Sequence, residues 1–155
     1  MACVLFITSF SCLGAFCREN GFAVEFNGEE TGYTSVILNN IHYVPMRAVF
    51  EKMGAAVFYR ERDRRILALS RDGDIICHTV GDRTITVNGE QKNFENPSAA
   101  ENGETYLPID MLAVALCTDG ISYDGQKLNI KKHIFNNDYN RVTKDVLDVC
   151  KSCNF

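Results

Sequence analysis

The chain has 155 residues, 46% hydrophobic and 23% charged, with a formal net charge of −4. That length fits one domain, or two small units sharing a core. The acidic balance argues against a nucleic-acid partner, whose phosphates call for a basic field. No uncharged apolar run reaches 18 residues, so no membrane span is expected in the mature chain.

The first element is the apolar, uncharged stretch ACVLFITSFSCLGAFC, ended by Arg18 and Glu19. Its length suits the core of a secretory leader, although no basic residue precedes it; a buried N-terminal strand or helix is the alternative. Residues 1–17 are therefore expected to be a signal-peptide-like leader, which makes the mature protein secreted or cell-surface. Phe16 before Cys17 argues against a lipid-modified cysteine.

The next segments occur twice. VEFNGEE (24–30) and ITVNGEQ (85–91) each place alternating apolar residues before an Asn-Gly pair. Asn-Gly tolerates positive φ at both central positions of a type I′ turn, the strongest short hairpin signal. NNIHYVPMRAVFEKMGAAV (39–57) is then echoed by NGETYLPIDMLAVAL (102–116), with Tyr43 and Tyr106 lying 63 residues apart. Pro45 and Pro108 suit the first position of a helix. Met46, Val49, Phe50 and Met53 form one apolar stripe, with Gly54 as a left-handed stop. Ile109, Leu112, Ala113 and Leu116 form the second stripe, with Gly120 beyond it. Helices this short are marginal alone and need a sheet to pack on. A strand to Tyr59 or Tyr123, a polar turn and a second alternating run close each unit.

This repetition predicts an α+β fold of two β-rich repeats, residues 22–84 and 85–132, each with antiparallel strands and one short helix. Residues 133–155 form a tail in which Val142, Val146 and Val149 recur at helical spacing.

Chemistry-bearing residues are scattered. His42, His78 and His133 lie more than thirty residues apart in sequence, and Cys77 and His78 point to opposite faces of a strand. Beyond the leader there are four cysteines, Cys77, Cys117, Cys150 and Cys153. The lone Cys150-x-x-Cys153 lacks the second pair a zinc site needs; incidental thiols, a short-loop disulfide and metal binding are its readings, in that order. Glu29/Glu30, Asp72/Asp74 and Glu101/Glu104 read as solvated turn carboxylates rather than an acid–base pair. Ser70, Ser98 and Cys117 lack a nucleophile elbow, and no Gly-rich loop opens a helix for phosphate. No catalytic, cofactor-binding or metal-binding residue is assigned.

The charge pattern yields one candidate site. YRERDRRI packs four Arg with one Glu and one Asp at a hairpin tip, where the second copy has only YDGQKL. The bland reading is a solvated tip whose charges pair with each other. The functional reading is a contact for an anionic polymer or a partner protein through Tyr59, Arg60, Arg62, Arg64 and Arg65. Arg47, at an unfavourable helix N-terminus, is expected to pair with a nearby carboxylate or carbonyl.

These segments, Asn27-Gly28, Tyr43-Val44-Pro45-Met46-Arg47, Gly54-Ala55-Ala56-Val57-Phe58-Tyr59, Asn88-Gly89 and Asn102-Gly103-Glu104-Thr105-Tyr106-Leu107-Pro108, resemble the copper amine oxidase N-terminal-like domain. This is the stalk domain that occurs in tandem on secreted and surface proteins of Firmicutes. The resemblance covers residues 24–132; in the second copy Asp110 replaces Arg47, and Cys117-Thr118-Asp119 replaces Gly54-Ala55-Ala56. It implies a non-catalytic extracellular module that binds, tethers or spaces, with a cell-wall polymer or surface protein as partner and no copper ligand carried over. The alternatives are a small secreted hydrolase or metal-dependent enzyme, and a fragment of a longer surface enzyme.

Overall fold

The computed structural model describes residues 19–118 and 120–132. The leader-like segment, the tail and Cys3, Cys12, Cys17, His133, Cys150 and Cys153 lie outside the described residues. The chain folds into two sheets and two short helices, broadly α+β and mostly strand.

The strands are β1 (Glu19–Phe26), β2 (Glu29–Leu38), β3 (Ile41–Pro45), β4 (Ala56–Arg60), β5 (Arg65–Leu69) and β6 (Ile75–Thr79). After them come β7 (Thr84–Val87), β8 (Glu90–Asn93), β9 (Ala99–Glu101), β10 (Glu104–Pro108), β11 (Gly120–Tyr123) and β12 (Lys127–Lys131). Helix α1 (Met46–Lys52) follows β3, and α2 (Ile109–Ala115) follows β10. One sheet has the order β11-β12-β1-β2-β3-β10-β9 and the other β4-β5-β6-β7-β8.

Sheet membership cuts across the sequence units. The β11–β12 hairpin joins β1 through a parallel pairing, and β4–β5 joins β6, β7 and β8. At the middle of the larger sheet, Tyr43, Val44 and Pro45 pair antiparallel with Pro108, Leu107 and Tyr106.

Asn-Gly and Asn-Asn turns build the hairpins as their chemistry dictates. Asn27-Gly28, Asn39-Asn40, Asn88-Gly89 and Asn102-Gly103 all hold positive φ at both positions, and each is the two-residue loop of a hairpin. Two of these Asn side chains do more than turn the chain. Asn27 exchanges two hydrogen bonds with the backbone of Lys132, and Asn88 accepts from the Ile75 N–H and donates to Asp74. Each turn thereby clasps the neighbouring strand.

The structure corrects several expectations. Pro45 and Pro108 close their strands and stand as N-caps, one position earlier than expected. Strand β6 has no place in the repeated pattern, yet it separates β5 from β7. Where the segment after Asn27-Gly28 runs as the single long strand β2, the echoed segment after Asn88-Gly89 forms β8 and β9 with Pro97 between them; proline has no N–H to continue a ladder.

The core lies between the sheets around the helices. Met46, Val49, Phe50 and Met53 are buried as the stripe of α1 predicts. In α2 the buried face is Met111, Leu112, Ala115 and Leu116, while Ile109 and Ala113 are only partly covered, so the stripe is rotated from the expected one. Both helices end in the same reciprocal backbone motif: Gly54 and Ala55 donate to Glu51 and Phe50, and Cys117 and Thr118 donate to Val114 and Ala113. In the first, Gly54 holds φ 71°; in the second Cys117, not Gly120, takes the left-handed position at φ 47°.

Candidate functional site

The β4–β5 hairpin is built from a five-pair antiparallel ladder, Ala56↔Leu69 to Arg60↔Arg65. Its tip is a 3-10 turn, Glu61–Asp63, closed by Arg64 in the left-handed region at φ 57°. Arg60 forks onto the Asp63 carboxylate at 2.8 and 2.6 Å, and that bond holds the Asp63 carboxyl below the usual carboxylate range. Among the described residues, Arg62 and Arg64 make no ion pair. Phe58 and Tyr59, half-exposed, stand beside them.

The five residues singled out from sequence thus share one tip, but only part of the charge is neutralised within it. The tip also borders a feature that sequence reasoning missed. A cleft of about 170 Å³ opens between Tyr59 and Arg64 on one side and the β9–β10 turn on the other. Met46, Val57, Ile66 and Val80 form its apolar floor, and Arg47, Ala100, Gly103, Glu104 and Thr105 complete its walls. Arg47 leans on Glu51 at 3.4 Å, both exposed, as its helix position demands. No local sequence signal pairs Tyr59 with Thr105, which lie in different sheets.

Elsewhere the candidate groups serve structure. His78 is buried, with Nδ1 2.7 Å from the Thr84 carbonyl and Nε2 2.7 Å from the Ser98 hydroxyl. A carbonyl can only accept, so Nδ1 carries the proton and Nε2 receives the Ser98 O–H; Ser98 also accepts from the Gly81 N–H. Burial holds His78 below the usual imidazole range, against the Thr84 bond and Asp82. Ser98 and His78, twenty residues apart, meet without any local motif, but both are covered. The pair straps the loop before β9 onto β6 and offers no open nucleophile. Cys77 is partly buried one residue away, and adjacent strand residues face opposite ways.

His42, expected on an exposed strand position, is half-buried: its ring stacks on Phe22 with centroids 4.9 Å apart, and its Nδ1 is buried without a partner. Phe22 in turn lies 4.0 Å from the Tyr123 ring. Asp72 and Asp74, expected to be solvated, clasp the buried Lys132 ammonium at 3.3 and 3.0 Å. Burial pushes the Asp74 carboxyl up, but Asn88, Lys132 and Ser70 together hold it below its ordinary range. A lysine anchored at the end of β12 thereby ties that strand to the β5–β6 loop.

A family model, the copper amine oxidase N-terminal domain, matches residues 25–131, well over half of the chain. The chain belongs to the copper amine oxidase N-terminal domain family. No curated protein matches it. In this family the N-terminal domain is a non-catalytic, stalk-type unit. Copper in the family's name finds no matching donor set among the described residues. Among the described residues no three His, Cys, Asp or Glu side chains converge to hold an ion, both His78 nitrogens are engaged, and His42 lies in the aromatic stack. Among the described residues no helix is long and apolar enough to cross a membrane.

Proposed function

We propose that the chain is a non-catalytic, extracellular stalk-like module that tethers or spaces by docking an anionic partner through the β4–β5 tip. The observation that carries this reading is the imbalance at that tip. Arg60 is matched by Asp63, while Arg62 and Arg64 make no ion pair among the described residues and stand near half-exposed Phe58 and Tyr59. Guanidinium groups present planar forks to carboxylate or phosphate, and aromatic neighbours add contact area at little entropic cost. The partner is a cell-wall polymer or a surface protein.

The module is read as an internal duplication. The antiparallel pairing of Tyr43-Val44-Pro45 with Pro108-Leu107-Tyr106 supports that reading, because the echoed segments meet around one point between Val44 and Leu107. So does the shared termination of α1 and α2. Export is tested by intact mass of the secreted chain, which reports whether residues 1–17 are removed.

Docking is tested by pull-down against cell-wall fractions and surface extracts at low and high salt. Capture should fall steeply as screening shortens the reach of the tip charges, and should be lost when Arg60, Arg62, Arg64 and Arg65 are all changed to Ser. Equal capture in every arm dismisses the tip as the contact.

A further inference from the structure

The cleft beside Tyr59 has a filled equivalent on the other sheet. Cross-strand partners define two matching rows: Tyr59, Ile66 and His78 in one sheet, and Tyr123, Leu128 and Val24 in the other. Two residues nearer the tip on the third strand stand Val80 and Phe22 respectively. Thr105 and His42 each immediately precede the tyrosine of the echoed segments; Thr105 on β10 reaches the cleft from the other sheet, whereas His42 on β3 shares its sheet with Tyr123. Around Tyr123 the two rings of Phe22 and His42 close the space, with centroid separations of 4.0 and 4.9 Å from Tyr123 to Phe22 and from Phe22 to His42. Around Tyr59 the corresponding side chains are Val80 and Thr105, and the space is the 170 Å³ cleft. A cavity of about 150 Å³ takes up benzene, so the cleft has room for one six-membered ring.

The surroundings narrow the ring's chemistry. Its floor is apolar, its mouth carries Arg64, and Glu104 and Thr105 offer acceptors on the wall. Among the described strands, β4 ends its sheet, so half of its backbone groups point away from β5. An extended peptide laid along that edge uses those groups and presents alternate side chains to the cleft.

We infer that the cleft is an insertion site for an aromatic side chain, Phe or Tyr, on an extended peptide segment with flanking acidic residues. The ring packs against Tyr59 as Phe22 packs, tilted, against Tyr123, and the flanking carboxylates meet Arg62 and Arg64. This rests on the docking reading above and names the partner as a protein segment rather than a wall polymer.

The test uses the full 15N-labelled chain and three probes: a pentapeptide with a central Phe between two Asp, the same peptide with Ala for Phe, and oligogalacturonate. The Phe peptide should shift the amides of Tyr59, Val80 and Thr105, and the Ala peptide should bind at least tenfold more weakly. Val80→Phe should plug the cleft as Phe22 plugs its equivalent, with at least a tenfold loss of binding and an unchanged or raised Tm. Thr105→His, which fills from the opposite wall, carries the same expectation if Val80→Phe does not fold. Equal binding of both peptides, or full binding to a folded plugged variant, overturns the ring site but leaves charge-based docking intact. Oligogalacturonate shifting the cleft amides in place of the peptide overturns the protein partner and leaves docking. If no probe shifts those amides the inference fails, and loss of salt-sensitive capture in the pull-down would then remove the docking reading as well.

Discussion

The two hairpin tips, β4–β5 and β11–β12, are made from the same cross-strand row and end differently. Both rows end in a half-exposed tyrosine, but Tyr123 packs against Phe22, which stacks on His42, whereas Tyr59 borders the cleft and the Arg62 and Arg64 that make no ion pair among the described residues. Replacing two rings by Val80 and Thr105 removes contact without disturbing the ladder beneath, because the inward residues Ile66 and Leu128 are equally buried. Charge follows the same division. The β11–β12 tip is satisfied within the fold, with Lys127 bound to Glu25 and Glu30 and the Asp124 side chain accepting two backbone N–H groups. A scaffold that closes one end and leaves its equivalent open has a place for a partner at the open end.

Both tips hang from one packed frame, and the largest effects come from breaking it. Phe50 in α1 and Leu112 in α2 are fully buried. Phe50→Ala should cost about 3–5 kcal/mol and Leu112→Ala about 2–5 kcal/mol. Thermal melts should drop by roughly 10 °C or more in each case. A melt of Phe50→Ala matching the parent chain would show that α1 does not support the β4–β5 end.

The second contrast lies in the row itself. His78 occupies the position that Val24 holds in the other sheet. His78→Val makes the rows alike but strands the Ser98 hydroxyl and the Thr84 carbonyl, at about 1–3 kcal/mol. Burial keeps the folded imidazole below its unfolded value of about 6.5, so protonation favours the unfolded chain. The contribution of His78 is therefore intact above pH 6.5 and is lost as pH falls below it. Asp74, also held low, acts in a separate window: its contribution stands above about pH 4 and disappears under more acid conditions. Melts from pH 8 to pH 5 should fall for the parent chain and stay flatter for His78→Val. A parent curve flat over that range would contradict the neutral, strapped histidine.

Much of the frame is legible in the sequence, because turns and stripes are local. Asn-Gly pairs announce hairpins through their own φ preference, and α1 announces its face through Met46, Val49, Phe50 and Met53. The face of α2 is not, because Ile109, Met111, Leu112, Ala113 and Val114 are all apolar or small, leaving several stripes open until packing selects one. The sheets are hidden for another reason: a repeat suggests that each unit pairs with itself, yet β11–β12 docks on β1 and β6 enters between β5 and β7. The candidate Arg cluster is visible as a charge run. The cleft beside it is not, since Tyr59, Val80 and Thr105 meet only once the sheets face each other. The clasp of Lys132 by Asp72 and Asp74 is likewise a long-range contact with no local mark.

Phe22→Val tests the rim directly, by giving the closed tip the side chain of the open one. Phe22 is partly buried against the core, so the loss should be about 1–2 kcal/mol, below the cost of a fully buried aromatic. The exposed ring of Tyr123 should then become more accessible, seen as faster modification by a tyrosine reagent. No change in either readout would mean that the stack contributes nothing and that the closed end differs from the open one only in shape.

The smallest expected effect has the opposite sign. Both helices end in the same motif, but a glycine sits at the left-handed position in one and Cys117 in the other. A side chain there crowds the following carbonyl, at a cost on the order of 1–2 kcal/mol for L-residues, while glycine gives part of that back through its freedom in the unfolded chain. Cys117 is exposed and its thiol makes a long contact with the Val114 carbonyl, 3.7 Å, within electrostatic reach of Asp74, Lys132 and Asp72, so little packing is lost with it. Cys117→Gly should therefore raise stability by about 0.5–1 kcal/mol. The reverse exchange, Gly54→Ala, should lower it by at least as much, because it adds the same backbone strain and the Arg71 side chain must swing aside to admit the new methyl. Chemical denaturation of the pair measures both signs. Two changes of the same sign would show that the shared backbone geometry of the two helix ends does not govern their stability.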